Sequence, residues 1–169
     1  MNWEMNSVLN SVKFHSLEKW KYEEVKHLCK ELNLYELRPV EALHGIPAKS
    51  VSLRHSSGVH LVYSGDTMPN EQLIKRGFDC DILIHEATFQ QKDIAQKSYH
   101  STVEDAIDVS ERMKAKHTIL TNFVNEDLSQ QTRELLLSKS NVTVAVDFMR
   151  VRMSDLPYTP LLNPFLIHR

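Results

Sequence analysis

The 169-residue chain is 41% hydrophobic and 25% charged, with 20 Lys and Arg against 22 Asp and Glu. That suits one globular domain with a real core. The net charge of −2 offers no global attraction for nucleic acid, so RNA binding has to be local. No apolar run approaches the roughly 18 residues that cross a membrane, and no secretion signal opens the sequence. An intracellular protein is expected, with nucleus, mitochondrion and cytoplasm unresolved.

In chain order, residues 1–20 show weak periodicity and form a poorly defined segment. Lys21 to Leu32 reads as a helix, because Val25, Leu28, Cys29 and Leu32 fall on one face. Tyr35 to Leu43 is extended. Val51–Arg54 and Val59–Tyr63 read as strands joined at Ser56-Ser57-Gly58, a hairpin. Asn70 to Arg76 is a short helix. Asp81 to Ile84 is an apolar strand of the kind buried on both faces, with His85-Glu86-Ala87-Thr88 following it. Ser101 and Glu104 match a capping box for a helix carrying Val103, Ala106, Ile107 and Met113. Thr118–Leu120 is a strand, Ser129–Ser138 a helix and Val142–Val151 a strand of strong β composition. Residues 153–169, with Pro157, Pro160 and Pro164, read as an irregular tail. Strands alternating with helices predict an α/β fold, and the hairpin makes the sheet mixed.

Polar groups gather at the strand ends. Asp66 ends one strand, His85 and Glu86 another, and Asn122 a third; His44 precedes the hairpin and His100 precedes a helix. In open α/β sheets such positions converge on one edge, where sites form. His, Asp and Glu together are zinc-type ligands or acid–base partners. Ordinary structural roles stand beside these. Asp66 in "SGDT" can cap a turn, His44 can be a loop imidazole, and His85 and Glu86 can bind backbone at a strand end. His100 can solvate a first helical turn. Lys92 and Lys97, in a loop beside the site, are the candidates for phosphate contact. With four glycines there is no Gly-rich phosphate loop, nor is there a serine nucleophile elbow. Cys29 and Cys80 form no paired motif and read as reduced, buried thiols.

"YSGDTMP" (63–69), "LIHEATF" (83–89) and "YHST" (99–102) occur in register. Together they resemble the C-terminal half of tRNase Z, the endonuclease that removes the 3′ trailer of precursor tRNA, in its long eukaryotic form. The resemblance runs from about residue 23 to 151. It implies the second half of a metallo-β-lactamase αββα sandwich, covering 21–152. It implies that Asp66 bridges two zinc ions and that His44, with Ala48 four residues on, is a zinc ligand. It makes Glu86 and His100 a pair assisting the leaving oxygen, and gives Asp147 a structural role. Three departures stand out. The residue after His44 is Gly45 where the family has Cys. No His-x-His occurs in the 169 residues, so the His-x-His-x-Asp-His motif is missing. In "LTNFVNED" Asn122 replaces a ligand His, and Val124, Glu126 and Asp127 replace Ser, Arg and Tyr types. A zinc site needs three or four protein ligands, and a carboxamide ligates zinc far more weakly than an imidazole. The implied chain binds zinc weakly or not at all and does not catalyse alone. It exposes a half-sheet that calls for a second copy or a protein partner. The alternatives are an active nuclease completed by another chain, and a non-catalytic module that binds protein or RNA.

Overall fold

The computed structural model describes residues 22–124 and 128–167. The expected N-terminal segment 1–20, together with Glu126 and Asp127, lies outside them. Helix α1 (Tyr22–Glu31) leads into strands β1 (Leu34–Glu41), β2 (Lys49–His55) and β3 (His60–Tyr63). Then come α2 (Glu71–Gly77), β4 (Ile82–Glu86), α3 (Lys92–Lys97), α4 (Val103–Met113), β5 (His117–Thr121), α5 (Gln130–Ser138) and β6 (Val142–Val144). A 3-10 helix (Leu156–Leu162) and α6 (Asn163–Leu166) follow. One six-stranded sheet runs β1-β2-β3-β4-β5-β6. The first three strands pair antiparallel and the rest parallel. The mixed α/β sheet of the sequence reading is borne out.

Helices α2 and α4 pack on one face. Val40, Val62, Leu73, Ile74, Leu83, Val109 and Met113 fill that layer. A second cluster joins Val103, Ala106 and Ile107 of α4 to Leu120, Leu136, Val142 and Ile167. The opposite face carries the alternate residues of each strand, as the pleat requires. Val51 registers with Tyr63, Tyr63 with Ile84 and Ile84 with Ile119. Val51, Ile84 and Ile119 are half-buried, and Tyr63 is exposed at 43%.

Four local expectations are corrected. Strand β4 continues through His85 and Glu86, because Ala87 N–H still pairs with the Thr121 carbonyl. Strand β6 stops at Val144 instead of Val151, since its neighbour β5 ends at Thr121 and no ladder continues beyond Ala145. The capping box is Thr102 with Asp105, one residue past the expected Ser101 and Glu104. The Thr102 hydroxyl accepts from Asp105 N–H at 3.1 Å, while the Asp105 carboxylate accepts from Thr102 N–H at 3.3 Å. Ser101 is turned inward instead. The tail is ordered into helical turns. Pro157 fits the first turn, where an N–H would have no partner.

The tail also closes the β6 edge. The outward-facing Val144 N–H donates to Asn163 Oδ1 at 3.0 Å, and Asn163 Nδ2 donates to the Val142 carbonyl at 2.8 Å. One carboxamide thereby supplies the pair of bonds that a further strand would make.

Candidate metal centre and its carboxylate network

Three connections meet at the carboxyl ends of the parallel strands. His44 comes from the β1–β2 connection, Asp66 from the β3–α2 turn, and His100 from the segment before α4. Gly65 permits the Asp66 turn. Its φ is +56°, and a Cβ there would stand 2.9 Å from the Lys49 carbonyl oxygen. That left-handed, crowded geometry is natural only to glycine. Leu43 N–H donates to Thr67 Oγ1 at 2.9 Å and Met68 N–H to the Leu43 carbonyl at 3.0 Å, so the His44 and Asp66 loops are laced together.

Glu86 is the hub. Strand alternation puts it on the open face, in register with Thr121, and it is 1% exposed. Its Oε1 accepts from Thr67 N–H at 2.6 Å and from His100 Nδ1 at 2.9 Å. Its Oε2 accepts from the Thr88 hydroxyl and from Ser101 N–H at 3.2 Å. A carboxylate has about four acceptor positions, and all four are used. The Ser101 hydroxyl donates to the Thr67 carbonyl at 2.7 Å, binding the same two loops a second time.

Asn122 stands just after β5 with φ +62°, a conformation asparagine tolerates. Its Nδ2 donates to Asp66 Oδ1 and to Thr88 Oγ1, both at 3.1 Å. The network dictates this orientation of the amide. Thr88 spends its proton on Glu86, so its oxygen is an acceptor toward Asn122, and the Asp66 carboxylate can only accept. A chain of bonds therefore runs from Asp66 through Asn122 and Thr88 to Glu86 and His100.

The ligand atoms of His44, Asp66 and His100 lie within 4.8 Å of one another. The two imidazoles meet edge to face with centroids 4.8 Å apart. Among the described residues, these three could hold a metal ion. The expected ligands His44 and Asp66 are thus together, and His100, expected beside Glu86, bonds Glu86 and faces them as well.

His85 does not join them. Alternation sends it to the helix-covered face with Leu83, and it is fully buried. Its Nδ1 bonds the Glu86 carbonyl at 2.7 Å. Burial, first among its influences, pushes its pKa below the ordinary imidazole value. Lys92 and Lys97 lie on the short helix α3, not in a loop; Lys92 pairs with Asp105 at 3.4 Å. Asp147 lines a cleft of about 920 Å³ together with Tyr63, Asp66, Glu86 and Asn122. The Tyr63 phenol has its pKa raised, by burial first and then by the Asp66 and Glu86 carboxylates. Thr67, Thr88 and Tyr63 were missed from sequence. The available signal was their place: Thr67 and Thr88 stand one and two residues after the candidate acids Asp66 and Glu86, and Tyr63 ends the strand before Asp66.

A profile of the "Beta-lactamase superfamily domain" matches residues 3–123. The chain belongs to that superfamily, and its fold is the metallo-β-lactamase fold seen in part. Within it the similarity runs to ribonuclease Z. The chain is 39% identical over 137 residues to "Zinc phosphodiesterase ELAC protein 2 homolog" of Caenorhabditis elegans and 37% identical over 146 residues to the human protein "Zinc phosphodiesterase ELAC protein 2". These matches cover 80% and 83% of this chain but 16% and 17% of those relatives. The chain spans about a sixth of their length. The crystal structure of a long-form RNase Z from yeast superposes with a TM-score of 0.72 at 26% identity, over 88% of this chain and 21% of that one. Human tRNase Z, short form, gives 0.56 at 28% identity over 73% and 48%. No helix among the described residues is long and apolar enough to cross a membrane.

Proposed function

We propose that this chain is a ribonuclease Z-related polypeptide that does not cleave precursor tRNA by itself. It works with its open sheet face covered by a second copy or a protein partner. The observation that carries this reading is the Asn122 amide donating to Asp66. A carboxylate that bridges two ions gives each of them an oxygen lone pair. Here an N–H occupies one of them, at the place where the family resemblance puts an imidazole. The amide NH2 has no lone pair for a metal and the carboxamide oxygen is a far weaker zinc ligand than an imidazole, and no His-x-His exists in the sequence to supply further ligands. Two-metal chemistry, in which one ion activates the attacking water and another steadies the leaving oxygen, lacks its protein ligands.

Zinc, when bound in this family, supplies the activated nucleophile. This chain contributes the other parts. Glu86 fixes the His100 ring through Nδ1, and Thr88 ties that pair to Asn122 and Asp66. The exposed Lys97, three residues before His100, and the exposed Lys92 support a weak RNA phosphate contact.

The test is incubation of the purified chain with a 3′-extended precursor tRNA and Zn2+ or Mn2+. No trailer release is expected. Cleavage that disappears in Asp66→Ala would overturn the reading.

A second reading is favoured by the partly exposed apolar row Val51, Tyr63, Ile84 and Ile119. A partner chain seated there completes a two-sheet sandwich and restores nuclease activity. Light scattering at micromolar concentration addresses both readings. A stable monomer contradicts the partner requirement.

A further inference from the structure

We infer that the outward stripe of the C-terminal tail, Tyr158, Leu161, Leu162 and Phe165, docks against the same stripe of a second copy of the chain. This goes beyond the reading above. The stripe lies on the tail that covers the β6 edge, not on the open sheet face, and it is indifferent to nuclease activity.

Three observations converge. First, the four residues fall at i, i+3, i+4 and i+7, the spacing that puts them on one face of consecutive helical turns. They are exposed, Tyr158 at 68%, Leu161 at 70%, Leu162 at 45% and Phe165 at 73%. Residues 156–167 include no Asp, Glu, Lys or Arg, so no charge interrupts the stripe.

Second, the tail cannot roll over to hide it. The opposite face, Leu156, Thr159, Asn163 and Ile167, is already buried. The Thr159 and Thr143 hydroxyls bond each other at 2.7 Å, Asn163 holds Val142 and Val144 of β6, and Ile167 belongs to the cluster of Leu136 and Val144. Turning the stripe inward would break those bonds and put Ile167 in water.

Third, the stripe complements itself. A two-fold axis passing between Leu161 and Leu162 sets each residue against the one equally far beyond the axis. Leu161 then meets the second copy's Leu162, and Tyr158 meets the second copy's Phe165. Leucines fill the centre and an aromatic pair closes each end, with the Tyr158 hydroxyl at the wet rim. Area favours the same occupant. Aromatic side chains cover about 150–250 Å2 each and leucines somewhat less, so the stripe leaves about 500 Å2 open. The largest apolar patch on a free monomer is about 300–600 Å2, and this one is near the top of that range. Two copies together remove about 1,000 Å2 from water, the threshold of a specific interface.

The test is sedimentation velocity of the full chain across micromolar concentrations. A reversible dimer is expected. Leu161→Asp, at an exposed position, sets two carboxylates beside the axis and should raise the dissociation constant at least about a hundredfold, with circular dichroism confirming the fold. A second measurement does not depend on that variant. Tyr158→Cys and Phe165→Cys chains, mixed and oxidised, should yield a 158–165 disulfide between copies, read by peptide mass spectrometry. Within one chain those positions stand about 10 Å apart along the helical turns, too far to bridge. A chain that stays monomeric overturns the inference. So does a dimer that survives Leu161→Asp, which is held by another surface such as the open sheet face. Absence of the 158–165 link in the mixed dimer overturns it too. So does a monomer that sediments with phosphatidylcholine–phosphatidylserine vesicles, which assigns the stripe to a lipid surface. None of these readouts depends on RNA cleavage.

Discussion

Glu86→Gln tests the carboxylate network most directly, because it keeps the side-chain volume and removes one acceptor oxygen. Four donors meet the native carboxylate: Thr67 N–H, Ser101 N–H, the Thr88 hydroxyl and His100 Nδ1. The glutamine carbonyl satisfies two of them, and its NH2 group confronts the other two. With NH2 in the place of Oε1, His100 can change tautomer and accept, but Thr67 N–H is stranded. With NH2 in the place of Oε2, the Thr88 hydroxyl can turn and accept, but Ser101 N–H is stranded. Either way one buried backbone donor loses its partner, at a cost of about 1–3 kcal/mol. In a chain of this size each kcal/mol moves the melting temperature by about 2–4 °C. Calorimetry of the metal-free protein should therefore show a fall of about 2–12 °C, and Glu86→Ala, which strands all four donors, should fall further. A Glu86→Gln protein melting within about 1 °C of the parent would mean that these bonds do not hold the site together.

Gly65→Ala forces a side chain into a left-handed turn, costing about 1–2 kcal/mol, and against the Lys49 carbonyl. Urea denaturation should register the loss, and an unchanged midpoint would show that the turn relaxes freely. His85 is buried with its pKa held below the usual 6.5, so the unfolded chain takes up the proton first. Above that value His85 contributes nothing to the pH dependence. As pH falls through 6.5 toward the folded value, stability drops by up to about 1.4 kcal/mol per pH unit. Melting curves from pH 7.5 to 5.5 should show the decline, shallower in His85→Leu; identical slopes in the two proteins would remove His85 from the account. Burial pushes the Cys80 thiol up to about 12, whereas Cys29 is only partly buried. Native alkylation at pH 8 should label Cys29 and spare Cys80, as peptide mass spectrometry can verify.

The order of strands and helices was legible because each kept its period. Val25, Leu28 and Cys29 mark one helical face, and the continuous Ile82-Leu83-Ile84 marks a strand, although it is covered on one side only: Leu83 is buried under the helices, while Ile84 is half-buried on the open face. The gathering of His44, Asp66, Glu86 and His100 was legible from their places at strand and helix ends together with the family resemblance. Asp66 alone looked like a turn residue, and in the structure it sits in such a turn while facing two imidazoles. Other features depend on tertiary partners that no short window contains. The length of β6 is set by where β5 stops, not by the β-branched residues up to Val151. Ser101 and Thr102 both match a capping pattern, and only the inward pull of Thr67 and Glu86 on Ser101 decides between them. His85 and Glu86 are adjacent, yet the pleat sends one to the core and the other to the site.

Asn163 has a consequence for assembly. Its carboxamide occupies the outward N–H and C=O of β6, so that margin has no vacant backbone positions at Val142 and Val144. Among the described residues, β1 is the one of the sheet's two outer strands without such a plug, and Pro39 interrupts its row of donors. Head-to-tail growth needs two different free margins, one giving and one receiving. With one of them closed, strand-to-strand contact between copies can only be β1 against β1. That contact consumes itself on forming, so edge pairing ends at two chains and cannot propagate into a fibre.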